Sequence, residues 1–369
     1  MSGRLLRQAC TAAVTAAAAL LAPGPATAAA GPGTGSDSGR RPETRSVSKL
    51  LTDLQQRYRR AERATEAYNA TTEKLKKQRA EVARLDGQLT RARLAVHSSR
   101  GEIGRLARQQ YRTSTEISRY VRLLLSRDPQ HALDEGHVIG QLARGRAGTL
   151  RRLAGAEKQA GELARTARAA LDRQLALARR QKTEQDTVRR QLKDIEKLIA
   201  SLSAGRLAEL ADFERGGAAA AQRRFLASGA LSGERAPTEA GRRALRYAVG
   251  QIGKPYKWGA EGPRSYDCSG LTSRAWKHAG LAVPRTSQEQ WARLRHVPLK
   301  DLRPGDLVVY FPEATHVALY LGDGMVVQAP RPGTTIKVSP IASYPVLGAV
   351  RPDPGGEPLR HYVPPRLPL

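Results

Sequence analysis

The stretch Tyr266-Asp267-Cys268-Ser269-Gly270-Leu271 carries one of the two cysteines in this chain of 369 residues. Asp267 is a typical helix N-cap, and Leu271 and Ala275 then recur at helical spacing, so a helix is predicted to begin here. A thiol in a first helical turn faces unpaired backbone N–H groups and the positive end of the helix dipole. Both favour a thiolate, and Cys268 is therefore a candidate nucleophile.

The other cysteine, Cys10, lies in a segment that reads as a secretory signal peptide. Two arginines precede an apolar stretch at residues 11–22, and Ala26-Thr27-Ala28 supplies the small residues of a cleavage site. The apolar stretch is too short to span a bilayer. We expect residues 1–28 to be removed and the rest of the chain to be exported. Cys268 would then have no disulfide partner within the chain, which leaves a reactive thiol, a buried apolar side chain or an intermolecular bridge.

The chain is strongly basic, with a formal net charge of +28. Residues 237–369 contain 18 basic and 10 acidic side chains, a net charge of +8, so residues 1–236 carry the other +20. An exported chain meets anionic wall polymers and phospholipid headgroups first, so we expect wall polymers rather than nucleic acid as partners. A solvated helical face rich in arginine is the alternative interpretation.

Residues 44–226 show the heptad pattern of a coiled coil. Two apolar seams with steps of three and four residues run through residues 75–106 and 150–202. Pro129 must break or kink the helix between them. We predict a long antiparallel coiled-coil hairpin with a helical tip at about 113–145, and a parallel dimer of two chains is the alternative. The apolar cluster within the tip would be either its core or a docking patch.

Composition divides the rest of the chain into short linkers and one further domain. Residues 29–43 read as a disordered linker, 227–237 as a hinge, and 353–369 as a proline-rich tail. Residues 238–352 are long enough to bury a core of their own. Two helices and five short strands are predicted there: Glu239–Ile252, Ser269–Ala279, Asp306–Phe311, His316–Leu321, Met325–Ala329, Ile336–Ser339 and Gly348–Arg351. This order predicts an α+β domain.

A cysteine nucleophile needs a base that shares its proton and a group that orients the base. Of the seven histidines, four belong to the coiled coil or the tail, one lies at the far end of the cysteine helix, and His296 sits in a charged loop. His316 remains, and it opens a predicted strand. We therefore predict that His316 is the base.

The loop after this strand decides which residue lies beside His316. A three-residue loop at 322–324, with Gly324 in the left-handed region, would pair Leu321 with Met325. His316 and Gln328 would then be diagonal neighbours on one face, and the Gln328 carbonyl could accept the imidazole N–H. A two-residue loop would instead place them on opposite faces. An edge glutamine that faces water is the alternative interpretation of Gln328.

Residues 240–350 resemble the NlpC/P60 family of cell-wall cysteine peptidases, which have a papain-like fold. The matching motifs are Gly253-Lys254-Pro255-Tyr256-Lys257-Trp258-Gly259, Asp267-Cys268-Ser269-Gly270-Leu271, Pro284-Arg285-Thr286-Ser287, Pro304-Gly305-Asp306-Leu307 and His316-Val317-Ala318-Leu319-Tyr320-Leu321-Gly322. The resemblance implies that Cys268 is the nucleophile and His316 the base. It also implies that Tyr256, Asp267 and Ser269 line the substrate cleft. The third polar residue of the family is most often histidine, and Gln328 stands there in this chain.

The resemblance implies a peptidoglycan endopeptidase that cleaves the γ-D-glutamyl–diamino acid amide of the stem peptide, without a metal or cofactor. The helical part is similar in layout to secreted division-associated hydrolases whose arm docks on a membrane partner, so we expect a membrane-protein regulator at the coiled-coil tip. We also expect the arm to restrain the catalytic domain until that partner engages. The alternatives are a non-catalytic wall-binding scaffold, or an amidase or acyltransferase with the same Cys-His site.

Overall fold

The computed structural model of the chain describes residues 46–113, 129–231 and 235–367. The predicted signal peptide and the linker that follows it lie outside these residues, as do residues 114–128 of the predicted helical tip and part of the predicted hinge. Within the described residues, no helix has a stretch apolar and long enough to cross a membrane.

Two long helices, α1 (Val47–Thr113) and α2 (Pro129–Ala200), form an antiparallel pair. Gln78 of α1 donates a 3.0 Å hydrogen bond to the carbonyl oxygen of Ala170 in α2. Further out, Arg100 of α1 forms a 2.7 Å ion pair with Glu157 of α2. A residue later in α1 thus contacts a residue earlier in α2, so the two helices run in opposite directions. The predicted antiparallel arrangement is confirmed within a single chain.

The apolar seam of α1 agrees with the heptad prediction, whereas that of α2 agrees only in part. The predicted seam residues buried in the pair include Leu75, Leu85, Leu89, Ala92, Val188 and Ile195. In the outer part of α2 the prediction is wrong at two seam leucines. Leu150 is 57% exposed, and Leu171 is 43% exposed while its neighbour Ala170 is fully buried. Two helices without a third bury only a narrow stripe, and a small alanine there allows close approach of the backbones.

A third helix, α3 (Ala204–Ala227), follows where the sequence predicts continuous hairpin. The Ser203 side chain accepts a hydrogen bond from the Arg206 amide and so caps the new helix. Leu210 of α3 packs on Leu50, Leu51 and Leu54 at the start of α1. The first turns of α1 therefore pack in an apolar cluster to which all three helices contribute. The two predicted seams did not indicate this third helix.

The C-terminal part is an α+β domain, as predicted. Its helices are α4 (Glu239–Val249), α5 (Cys268–His278) and α6 (Ser287–Arg293). Its strands are β1 (Arg295–Val297), β2 (Leu307–Tyr310), β3 (His316–Gly322), β4 (Met325–Gln328), β5 (Lys337–Pro340) and β6 (Val346–Arg351). They form one antiparallel sheet in the order β1-β6-β2-β3-β4-β5. The core of α4, α5 and the sheet includes Leu245, Leu271, Trp276 and Leu319. The short elements α6 and β1 were not predicted.

The β3–β4 connection differs from the predicted three-residue loop. Asp323 and Gly324 both have positive φ, 53° and 69°, as in a two-residue type I′ turn. Such a turn alone would place His316 and Gln328 on opposite faces. The register, however, shifts between Tyr320 and Gly322, which is an irregularity of the β-bulge kind. The extra residue restores the same-face arrangement, so the predicted geometry arises from a bulge instead of a longer loop.

Candidate active site

Cys268 is the first residue of α5 and is 3% exposed. The Asp267 side chain accepts a 2.7 Å hydrogen bond from the Gly270 amide, so Asp267 is the N-cap that the sequence predicts. A Cβ atom at Gly270 would lie 2.3 Å from the carbonyl oxygen of Ala260. Only glycine permits this approach of the preceding loop to the helix, and the approach fixes the backbone beside the thiol.

His316 and Gln328 meet as predicted. His316 Nε2 lies 2.7 Å from Gln328 Oε1, and the two side chains are 0% and 2% exposed. Because an amide oxygen only accepts hydrogen bonds, this contact places the imidazole proton on Nε2. Nδ1 is then the basic nitrogen. The His316 ring also packs against Tyr310 and Tyr344, at centroid distances of 5.6 and 5.3 Å, which restricts its orientation.

The start of α5 lies against the start of β3, so Cys268 and His316 are close together. The backbone N–H of Val317, the residue after His316, lies close enough to Cys268 to act on the thiol. A thiol, an imidazole and an amide that orients the imidazole therefore share one buried region. This arrangement can support nucleophilic attack with proton exchange between Cys268 and His316.

Arg285 is a site residue that the sequence analysis left without a role. Its guanidinium donates to both Asp267 oxygens, at 3.0 and 2.7 Å, and to Ser269 Oγ at 2.9 Å. A further 2.9 Å bond joins it to Glu261. The sequence could have indicated a role for Arg285, because it lies in the family motif at residues 284–287. Asp267 and Ser269, predicted to line the cleft, are both fully buried in this conformation. Tyr256 is also buried and lies close enough to Cys268 for the thiolate charge to raise its phenol pKa, after the larger effect of burial.

Side chains of α1 enter the cleft. Glu66 Oε1 accepts a 2.8 Å hydrogen bond from Ser269 Oγ and lies 3.8 Å from Cys268 Sγ. Glu66 Oε2 accepts a 3.1 Å bond from the Ser287 amide. Asn69 Nδ2 donates to Asp267 Oδ2 at 3.1 Å. Asp267 and Ser269, two of the three residues predicted to line the substrate cleft, are thus in contact with the protein's own helix.

A third side chain of α1 reaches the base, and further contacts hold the helix at the rim. Glu62 Oε1 lies 3.4 Å from His316 Nδ1. Tyr68 packs edge-on against Trp258 with ring centroids 5.0 Å apart. Glu62, Glu66 and Asn69 follow one another at steps of four and three, which places them on one face of α1. That spacing of polar residues was the signal available in the sequence, but it does not indicate which surface they contact.

A separate ion pair joins α3 to the α+β domain. Arg331, which follows β4, binds Glu214 of α3 through two hydrogen bonds of 2.5 and 2.8 Å. Its guanidinium also lies 4.8 Å from the ring centroid of Tyr58 in α1. Two parallel hydrogen bonds between an arginine and a carboxylate are stronger and more directional than a single contact. The helical part therefore contacts the α+β domain through α3 as well as through α1.

The pKa of Cys268 shifts in the direction opposite to the one that the sequence analysis expected. Burial raises the thiol pKa well above its ordinary value, and the charges of Glu66, Asp267 and Glu62 raise it further. The expected thiolate is therefore disfavoured in this conformation. The helix N-terminus is present as predicted, but α1 excludes water and brings carboxylates to the thiol. Burial also raises the pKa of Glu66 to about 8, while Arg285 and the bonds from Ser269 and Ser287 act in the opposite direction.

Among the residues that the structure describes, no three His, Cys, Asp or Glu side chains are grouped so as to hold a metal ion.

The C-terminal domain is similar in sequence to known proteins. Residues 253–347 match the model of the NlpC/P60 family. Over 101 residues the chain is 45% identical to a probable endopeptidase of Corynebacterium glutamicum, an alignment that covers 27% of this chain and 48% of that protein. Over 123 residues it is 37% identical to the peptidoglycan endopeptidase RipA of Mycolicibacterium smegmatis, with coverage of 28% and 25%. The chain thus spans half or less of the length of these relatives.

Two solved structures are similar to the same region. The NlpC/p60 domain of the peptidoglycan hydrolase SagA is 29% identical, with a TM-score of 0.29, and the match covers 30% of this chain and 97% of that one. RipD from Mycobacterium tuberculosis, described as a non-catalytic NlpC/p60 domain protein adapted to peptidoglycan binding, is 31% identical, with a TM-score of 0.28 and coverage of 31% and 98%.

Proposed function

We propose that the chain is a secreted cysteine endopeptidase acting on the stem peptides of peptidoglycan, because residues 253–347 match the NlpC/P60 family. The observation that carries the proposal is the 2.7 Å contact between His316 Nε2 and Gln328 Oε1, which leaves Nδ1 as the base. The start of β3 also lies against Cys268. A scaffold that only bound the wall would need no imidazole with a fixed tautomer beside its one described thiol.

In the proposed reaction, His316 Nδ1 takes the proton of Cys268 and the thiolate attacks the carbonyl carbon of the stem-peptide amide. The Cys268 backbone N–H donates to the oxyanion that forms. Protonated His316 gives its proton to the leaving amine as the C–N bond breaks. His316 then removes a proton from water, which attacks the thioester and releases the acid and Cys268. Gln328 holds Nε2–H throughout.

The bond proposed for cleavage is the γ-D-glutamyl–diamino acid amide. This assignment rests on the resemblance of residues 240–350 to cell-wall peptidases. If an amine attacked the same thioester in place of water, the product would be a new amide, so product analysis distinguishes hydrolysis from transfer.

The proposed partners besides the stem peptide are anionic wall polymers and a membrane-protein regulator at the hairpin tip. The positive charge of the helical part suits the wall polymers.

The arm is proposed to restrain the enzyme. Glu66 contacts Ser269 and Cys268, and Glu62 approaches the basic nitrogen of His316, so a substrate cannot occupy these positions until α1 moves. An exported wall hydrolase needs such control, because unrestrained cleavage would lyse its own cell. Engagement of the regulator is proposed to withdraw α1.

The test is digestion of purified muropeptides by the full chain without its signal peptide, with the Cys268→Ala variant as the control. Mass spectrometry of the products identifies the bond from the new amine and acid ends. Release of a diamino-acid amine by the parent but not by the variant would support the proposal. Cleavage of equal extent by the variant would refute it.

A further inference from the structure

The closed cleft concentrates acidic groups around one permanent cation. Glu62, Glu66 and Asp267 are 6%, 2% and 0% exposed. The titratable and charged groups around Glu66 are Asp267 and Cys268 of the α5 start, Arg285 before α6, Tyr256 in the preceding loop and Glu62 on α1 itself. His316 of β3 faces Glu62. Among these groups Arg285 is the permanent cation.

Arg285 cannot neutralise this cluster. Its guanidinium already binds both oxygens of Asp267 and one oxygen of Glu261. Glu66 instead accepts bonds from the uncharged Ser269 hydroxyl and Ser287 amide. A carboxylate buried in this way, beside another carboxylate, keeps its charge only at a large cost, and binding a proton removes that cost.

We propose that α1 closes the cleft together with a proton, so that the arm is a pH-sensitive latch that tightens as the pH falls. The proton is placed on Glu66, the most deeply seated of the α1 acids. The inference deepens the proposed function, because the latch matters to the cell only if the site below it is catalytic. The latch itself is a property of the closed and open forms and can be measured without turnover.

The direction of the pH dependence follows from the two states of Glu66. Burial raises the pKa of Glu66 to about 8 in the closed form, against the ordinary value of 4.5 for a solvated glutamate. The closed form is therefore fully favoured below the lower pKa and loses stability as the pH rises towards 8. Uptake of one proton on closing makes the closing equilibrium fall about tenfold per pH unit within this window.

The experiment measures amide hydrogen exchange of the cleft-facing turns of α1, residues 58–72, in the full chain between about pH 5.5 and 8. Glu66→Gln supplies a reference at each pH, since its amide oxygen can accept from Ser287 and its NH2 group can donate to Ser269 Oγ. Glu81→Gln removes a glutamate from the same helix, where Glu81 is 40% exposed and pairs with Arg84. Comparison at equal pH cancels the intrinsic pH dependence of exchange.

We expect the opening constant of the parent and of Glu66→Gln to diverge about tenfold per pH unit, with the glutamine variant remaining closed. Glu81→Gln should follow the parent, and Glu66→Ala should open at every pH. Parallel profiles for parent and Glu66→Gln would overturn the proposal, as would an alanine variant as protected as the parent. These results do not depend on catalysis. A working latch without Cys268-dependent cleavage would refute only the proposed function, and cleavage without a pH-dependent latch would refute only this inference.

Discussion

The carboxylate of Glu66 accepts a 2.8 Å hydrogen bond from the hydroxyl of Ser269, although 203 positions separate the two residues in the chain. Ser269 follows the candidate nucleophile, so this single contact brings the long helix α1 onto the active-site cleft. The helical part and the α+β domain therefore have to be considered together in the closed form, because each buries polar groups of the other.

The closed cleft predicts slow alkylation of Cys268. Its thiol is 3% exposed and its pKa is raised by burial and by nearby carboxylates, whereas iodoacetamide reacts with an accessible thiolate. We expect the parent to react more slowly than a free cysteine peptide at the same pH. Complete alkylation should abolish wall hydrolysis. Retention of activity after stoichiometric labelling would contradict the assigned nucleophile.

Gln328 is predicted to act by orienting His316. Gln328→His offers an unprotonated ring nitrogen that can accept the Nε2–H hydrogen bond in place of the amide oxygen, so it should keep or raise activity. Gln328→Leu removes the partner of Nε2. The loss of a buried carboxylate in this role costs about 10⁴-fold, and a neutral amide should contribute less. The measurement is the rate on muropeptides as a function of pH, with circular dichroism to verify folding. A leucine variant with the parent's rate would remove Gln328 from the site.

Asn69→Ala is predicted to weaken the closed form. It removes the hydrogen bond from α1 to the buried carboxylate of Asp267, and bonds to charged groups contribute about 1.5–3 kcal/mol. Alkylation of Cys268 and muropeptide cleavage by the full chain should both rise about tenfold or more. Gln78→Ala is the matched control, because Gln78 lies on the same helix but binds Ala170 of α2. An Asn69 variant no faster than the Gln78 variant would contradict restraint by α1.

Gly270→Ala is predicted to destabilise the α+β domain. The added Cβ would lie 2.3 Å from the Ala260 carbonyl oxygen and 2.8 Å from Asp267 Oδ1, so backbone has to move. Overpacking of this kind costs about 1–3 kcal/mol. Gly155→Ala is the control, since a Cβ there has no neighbour within 4 Å and α2 should gain up to about 1 kcal/mol of helix propensity. Denaturant unfolding measures both. Equal stabilities for the two variants would show that the approach at Gly270 is not required.

The motifs and local spacing predicted much of this structure. The N-cap at Asp267, the strand that begins at His316 and the His316–Gln328 contact all depend on neighbouring positions and local periodicity. The loop between the strands was wrong in detail, because a bulge and a longer loop give the same alternation of side chains. The seam prediction for α2 was wrong at Leu150 and at Leu171, where the neighbouring Ala170 is buried instead.

The closure of the cleft was beyond local patterns. Glu62, Glu66 and Asn69 share a face of α1. A polar helical face can contact either water or another part of the protein, so the pattern does not distinguish the two. Their partners lie about 200 positions further along the chain. The raised pKa of Cys268 follows from that contact and not from the helix in which Cys268 stands. The sequence-based expectation of a thiolate considered the helix N-terminus without the carboxylates of α1.

The most direct test of the account combines the opened arm with the candidate nucleophile. Purified muropeptides are incubated with the full chain carrying Asn69→Ala, and in parallel with Asn69→Ala/Cys268→Ala, and the products are identified by mass. The account predicts that the first variant cleaves the γ-D-glutamyl–diamino acid bond faster than the parent and that the second does not cleave it. An Asn69→Ala protein whose Cys268 is readily alkylated but which leaves the stem peptide intact would contradict it.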